Sequence, residues 1–334
     1  MLSKYITMDP VPWLTDGENP AVCYLVKKEI IKGSDHEEIY NELISSNLTE
    51  YFRINYSNGI LGDFKHLDLY YHGSVWFFLS AVESGYKCSS DFISSTADHL
   101  CSKTQLDSGG FKFNYKSSDA VGCRSGNMVY SLLKSGISDS RTDHGIQWII
   151  KKQRKDGGWL HCPVAGFCDV MKLVFLNKPG NGLKHENDDN IPSCPVASYS
   201  CLKALVEFNS KLHNDSISNG ADFFLKNNFF VASKRKLFCG NRVNFEKLGY
   251  PVMSQYDYLS GMVLLSEIKK HDYSKTGTLF NTIIKKQNHD GSWNSENKLQ
   301  GMIKEKNLKS RWVTLNALRL INLVLEDENQ LEKA

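Results

Sequence analysis

No stretch of this chain is apolar for long enough to cross a membrane. The longest runs, such as SVWFFLSAV from Ser74 to Val82, fall far short of the ~20 residues a spanning helix needs. The opening MLSKYITMDPVPW has no continuous apolar core followed by a small-residue cleavage site, so no signal peptide is read. Charge of one sign is scarce as well. A net charge of +3 without a long basic run argues against a nucleic-acid partner, and SKRKLF around Lys234 reads as a solvated loop. Sustained period-two alternation is missing, so little sheet is expected. The cysteines number nine, an odd count in a chain with no secretory signal, which favours free thiols or metal ligands over a disulfide framework. These absences predict a cytoplasmic protein with no nucleic-acid partner and no transmembrane segment, and they leave peripheral membrane contact open.

What the chain does contain is a repeat. QWIIKKQRKDGGW runs from Gln147 to Trp159, and IIKKQNHDGSW from Ile283 to Trp293. In both, a Gln stands six residues before a Trp, and the same spacing joins Gln105 to Phe111 and, in worn form, Asn55 to Leu61. Gly59, Gly109, Gly157 and Gly291 fall just ahead of the closing residue. The first copies lie about fifty residues apart and the last interval holds nearly three such periods, the mark of a repeat architecture. FFLKNNFFVASKRKLFCG is a candidate intermediate copy with insertions.

Between the motifs the pattern is helical. Ile146, Ile149, Ile150 and Gln153 share one stripe; Trp312, Leu315, Leu318, Ile321 and Leu325 share another. Each unit reads as helix, glycine turn, helix, with a mixed charged helix beside one rich in Ala, Ser, Leu and aromatics. That asymmetry predicts an all-α fold with an inner and an outer layer of helices, as an open solenoid or a closed α/α barrel. A late-helix Gln can satisfy carbonyls left over at a helix end, glycine permits left-handed backbone, and the Trp can pack back as a clamp. Gln153, Trp159, Gln287 and Trp293 are therefore expected to be scaffold.

The motif resembles the QW-type repeat of squalene-hopene cyclases and the related repeats of protein prenyltransferase β subunits. The whole chain resembles uncharacterised microbial toroid proteins of this size through DPVPWLTDGENPAVCYL, CRSGNMV, DGGWLHC, GYPVMSQYD and SRWVTLNALRL. The resemblance implies a single closed α/α toroid over residues 1–334. Residues 1–40 form a helical lead-in, and 173–192 a loop insertion that is a candidate lid. It also implies a hydrophobic, isoprenoid-like substrate in a central cavity, handled by a cyclase- or prenyltransferase-like enzyme. The acid motif of such cyclases, D-x-D-D, has its nearest counterpart at Glu186-Asn187-Asp188-Asp189, in a polar loop and with a different first residue; a D-D-x-x-D diphosphate motif is missing.

Three constellations are candidate sites. Cys123, Cys162, Cys168 and Cys194, with His161, His185 or Asp169 near in sequence, could hold zinc or an iron–sulfur cluster, or could be small core residues. In GYPVMSQYDYLSG, Asp257 with Tyr256 could serve as a general acid, with Met253 nearby; the alternative is a helix N-cap carboxylate. In DLYYHGSVWFFL, Asp68 is a third candidate acid, while Tyr70, Tyr71 and Trp76, joined by Tyr199, could line a cavity and stabilise a cation, or be ordinary core. Two further functions stay open beside the cyclase-like one: a metal-dependent toroid enzyme of other chemistry, and a non-catalytic lipid- or peptide-binding toroid.

Overall fold

The computed structural model describes residues 4–31, 33, 35–67, 73–160, 192–209, 214–231, 245–252, 256–268, 273–296 and 308–331. They are almost wholly helical, and strand is confined to two pairs of two residues each. Contacts divide the chain into two compact units. One comprises Met1–Asn55, Asn244–Val252 and Asp257–Ala334, the other Tyr56–Val243 with Met253–Tyr256.

The first unit holds α1 (Val11–Leu14), α2 (Pro20–Glu29), α3 (His36–Ile44) and α4 (Asn47–Ile54) from the start of the chain. It also holds helices from the end of the chain. The second holds β1 (Tyr56–Ser57), β2 (Ile60–Leu61), α5 (Ser74–Glu83), α6 (Asp91–Thr104), α7 (Gly122–Lys134), α8 (Ser140–Lys151), α9 (Pro195–Phe208) and α10 (Asn214–Lys226). The late helices of the first unit are α11 (Tyr258–Glu267), α12 (Tyr273–Lys285) and α13 (Arg311–Leu331), with β3 (Trp293–Asn294) and β4 (Lys309–Ser310) between the last two.

Helix starts follow from local chemistry. Asn19 accepts from Val22 N–H ahead of Pro20, Asp35 caps α3, and Asp139 with Thr142 builds a reciprocal capping box on α8. The ends of α5 and α7 are alike. Ser84-Gly85-Tyr86 and Ser135-Gly136-Ile137 both place the glycine at positive φ and return the next amide to a carbonyl five residues back.

Two kinds of helix alternate. Along α5 every residue from Ser74 to Val82 is buried, and α7, α9 and α11 are buried on nearly all sides. By contrast α6, α8 and α10 each bury a single face, for example Phe92, Ile93, Thr96, Ala97, Leu100 and Cys101 on α6. In the second unit the fully buried helices are successive neighbours, α5 against α7 and α7 against α9. The tightest of these contacts needs Gly126, where a Cβ would overlap the Ser200 backbone. In the first unit α13 packs on both α2 and α11, so the two ends of the chain share one core.

The Gln-to-Trp motif is a staple between repeats. Gln153 Nε2 donates to Gly157 O (2.9 Å) at its own turn and to Ser216 O (2.8 Å) at the start of α10. Gln105 does the same toward Gly109 O and Arg141 O on α8. Gln287 donates to Gly291 O and accepts from Thr7 N–H (3.0 Å), so the last copy is tied to the start of the chain. Gly109, Gly157 and Gly291 have positive φ, and a Cβ there would overlap the carbonyl oxygens of His144, Asn219 and Met8. The closing ring is fixed twice. Trp159 N–H donates to Ser198 Oγ on α9 and its indole to Ile149 O; Trp293 repeats this with Thr314 Oγ1 and Ile283 O. The worn copy at Asn55 differs. Its side chain reaches only Tyr51 O, four residues back, and Asn58-Gly59 turns the β1–β2 hairpin.

Candidate functional site

Three neighbouring buried helices of the second unit carry polar groups at helical spacing. Trp76 and Glu83 lie on α5, Asn127, Tyr130 and Lys134 on α7, Tyr199, Lys203 and Glu207 on α9. Their side chains meet across α7. Lys203 Nζ stands 3.7 Å from the Tyr130 ring centroid and pairs with Glu83 on the far side. Lys134 pairs with Glu207 at 3.3 Å. Side-chain exposures of 16% for Lys203 and 23% for Glu83 mean that this pair is poorly screened, and the ring face adds roughly 1 kcal/mol of cation–π attraction.

At the N-terminal ends of these helices the chemistry changes. Arg124 is only 5% exposed, and its guanidinium carbon lies 5.4 Å from the Trp76 ring centroid. Its Nη2 donates to Phe113 O at 3.4 Å. Ser74 opens α5 after Gly73, which offers no capping side chain. Tyr115 lies beside Ser74; burial pushes its phenol up, while the Ser74 hydroxyl acts the other way. Close by, Asp63 accepts from Lys65 N–H and meets His66 Nδ1 at 2.8 Å, and His66 holds the Asp63 carboxyl below its usual range.

The aromatic candidates take up distinct surroundings. Tyr199 stacks on Tyr256 with centroids 5.3 Å apart and an interplanar angle of 11°. Phe224 meets Tyr256 edge-on, and the Tyr256 hydroxyl donates to Phe229 O at 2.9 Å. Tyr256 is thus a core ring with a satisfied hydroxyl. Trp76 and Tyr199 keep 8% and 7% of their surface exposed, whereas Phe78 on the same helix as Trp76 keeps none.

Asp257 is the N-cap of α11. Its Oδ1 accepts from Ser260 N–H and Ser260 Oγ–H, both at 2.8 Å, and its Oδ2 from Gly249 N–H at 2.9 Å. Burial pushes this carboxyl up, against the pull of those donors. Of the two readings open in the sequence, the geometry realises the cap. The same carboxylate and Glu296, which accepts from Leu248 N–H, hold successive amides of the segment before α11.

Cys194 is the N-cap of α9, and Cys123 lies in the first turn of α7. Both act electrostatically on Cys201, whose thiol is buried, donates to Gly122 O at 3.4 Å and is pushed well up by burial. Among the described residues no three His, Cys, Asp or Glu side chains converge to hold a metal ion. Cys162, Cys168, Asp68, Tyr70, Tyr71 and Met253 lie outside the described residues, as do residues 173–191 of the insertion.

Sequence reasoning passed over Ser74, Glu83, Tyr115, Arg124, Tyr130 and Lys203. The available signal was a charged residue, Arg124 or Lys203, inside a segment otherwise rich in small and apolar residues.

No protein-family model and no curated protein matches the chain. Among solved structures, a protein from Actinoplanes superposes with a TM-score of 0.48 at 10% identity, covering 92% of this chain and 90% of that one. The type II terpene cyclase MstE from Scytonema with merosterolic acid A gives 0.36 at 12% identity, covering 95% and 98%. MstE with geranylgeranyl dihydroxybenzoate gives 0.33 at 12%, covering 94% and 97%. These scores are too low for the likeness to carry either fold or activity over to this chain.

Proposed function

We propose that this chain is a closed α/α toroid of the terpenoid-cyclase and prenyltransferase kind, which takes a hydrophobic, isoprenoid-type molecule against the face shared by α5, α7 and α9. One observation carries the reading. Trp76, Tyr130 and Tyr199 lie on neighbouring buried helices, with the Arg124 guanidinium by the Trp76 ring and the Lys203 ammonium over the Tyr130 ring. Rings beside cations on neighbouring helices can wall an apolar ligand and orient its polar end. The QW-type staple supports the toroid, since its last copy ties the chain's end to its beginning. In this reading Trp76 and Tyr199 wall the ligand, and Asp257 acts by fixing the start of α11.

Titration calorimetry of the full chain with geranylgeraniol and with squalene tests it. Micromolar binding of one of them is expected, weakened about tenfold by Trp76→Ala, because a large ring contributes on the order of 1–2 kcal/mol to such a wall. No measurable binding of either would remove the reading.

A further inference from the structure

The worn copy of the repeat differs from two of the intact ones at its turn. Asn58-Gly59 follows Asn55 at the spacing by which Asp156-Gly157 follows Gln153 and Asp290-Gly291 follows Gln287. In the intact turns both members are engaged. The Asp156 carboxylate holds Ser193, and the Asp290 carboxylate holds Ser292 and Lys309. The Gly157 and Gly291 amides donate to Arg154 O (2.9 Å) and Asn288 O (3.0 Å). At the worn copy neither member is held. Asn58 is exposed and its side chain has no hydrogen-bond partner among the described residues. Gly59 has open space around it, and its amide lies outside the ladder, whose pairs are Tyr56 with Leu61 and Ser57 with Ile60.

That combination is reactive. A side-chain amide is a neutral electrophile, and the next backbone nitrogen closes on it in a succinimide ring when no side chain shields that nitrogen. An ionised carboxylate resists the same attack, which would place a second negative charge on it; this covers Asp156, Asp290 and also Asp16 before Gly17, paired with Arg311. Asn219-Gly220 repeats the dipeptide inside α10, where Gly220 is buried and its amide belongs to the helix ladder. Asn181-Gly182 lies outside the described residues. We infer that Asn58-Gly59 is a site of spontaneous deamidation, by which the worn copy acquires the acid that its intact counterparts carry. The Gly59 nitrogen bonds to the Asn58 side-chain carbonyl carbon, the bond from that carbon to the side-chain nitrogen breaks, and ammonia leaves with the Gly59 proton. Water then opens the ring. Opening at the side-chain carbonyl gives aspartate at position 58, and opening at the backbone carbonyl gives isoaspartate, with one more carbon in the main chain. The second product disturbs the fold. Ile60 and Leu61 on β2 are fully buried against α5 and α6, and Leu61 N–H donates to Thr96 Oγ1 at 3.0 Å. A tight turn with positive φ at both Asn58 and Gly59 has no slack for a longer backbone, so isoaspartate loosens the hairpin. None of this rests on the function proposed above.

The test keeps the full chain at physiological temperature, at neutral and at mildly alkaline pH, and digests samples over time for mass spectrometry. Electron-transfer fragmentation separates aspartate from isoaspartate. Conversion at Asn58 is expected to run at least about tenfold faster than at Asn219, because an exposed turn reacts without a helix having to open. It should also quicken at the higher pH, where more of the Gly59 amide is deprotonated. Aged protein should melt below fresh protein, whereas freshly prepared Asn58→Asp melts with the parent and Asn58→Gln ages without a change in its own melting temperature. Conversion at Asn58 no faster than at Asn219 overturns the inference. Conversion without isoaspartate overturns the effect on the hairpin, as does an Asn58→Asp chain that melts as low as aged protein, which would make the new charge the cause. An Asn58→Gln chain that loses stability on ageing as the parent does places the damage elsewhere and overturns it too.

Discussion

One methylene separates two behaviours at the ends of the one-sided helices. Gln105 and Gln153 reach past their own turn to a carbonyl of the next one-sided helix, while Asn55 bonds the carbonyl four residues back. Replacing Gln153 by Asn should therefore break the bond to Ser216 O and cost about 1 kcal/mol. The glycine at the turn is stricter. Gly157 sits at φ +90° against the Asn219 carbonyl, whereas Gly17 has the same φ with open space around it. Thermal unfolding should show Gly157→Ala destabilised by on the order of 3 kcal/mol and Gly17→Ala by about 1 kcal/mol. Equal losses would mean that strain alone, and not the closeness of the neighbouring helix, demands glycine.

At the scale of elements, the Asp of D-G-G-W and D-G-S-W does work that spacing does not reveal. Asp156 accepts from Ser193 N–H and Oγ–H just ahead of α9, so it binds the staple turn to the entry of a buried helix. Asp290 accepts from Ser292 and pairs with Lys309 on β4, the strand that opposes Trp293 on β3 and leads into α13. The Lys309 ammonium and the Ser292 hydroxyl hold the Asp290 carboxyl at about 2, below its usual 3.8. A depressed folded-state value means stability that is complete above 3.8 and is lost as the pH falls toward about 2. Denaturant titrations should find Asp290→Asn less stable than the parent at neutral pH, with the gap closing across that window. A gap that stays constant down to acid would show that the pair contributes no pH-dependent stability.

For the molecule as a whole, the beginning and the end of the chain are one structural problem. Thr7 feeds the last staple, Met8 covers Gly291, Arg311 reaches Trp13 O and Asp16, and Arg319 pairs with Glu29. The ion pairs are partly exposed and individually weak, so the shared packing of α2, α11 and α13 is what joins the termini. Deleting residues 1–9 should then lower the melting temperature by several degrees and open the Trp293 turn, read as faster hydrogen exchange around Gly291. An unchanged exchange pattern there would remove the lead-in from the staple.

Helix type and the scaffold role of Gln153, Gln287, Trp159 and Trp293 were legible in the sequence, because they depend on spacing and on what one residue can do locally. The partners were not. Ser198 Oγ, Thr314 Oγ1 and Ser216 O are remote in the chain, and nothing in the motif names them. Spacing left Asp257 as an acid or a cap, with the cap favoured, and Gly249 and Ser260 around its two oxygens are what make it a cap. Trp76 and Tyr199 stood out as rings, but Ser74 and Arg124 did not, since only packing decides that a serine or an arginine is buried. Sequence by itself determined which backbone each segment adopts and where each repeat turns. Tertiary structure decided which donors were left without acceptors, because satisfaction of a buried polar group is a property of its surroundings and not of its residue type.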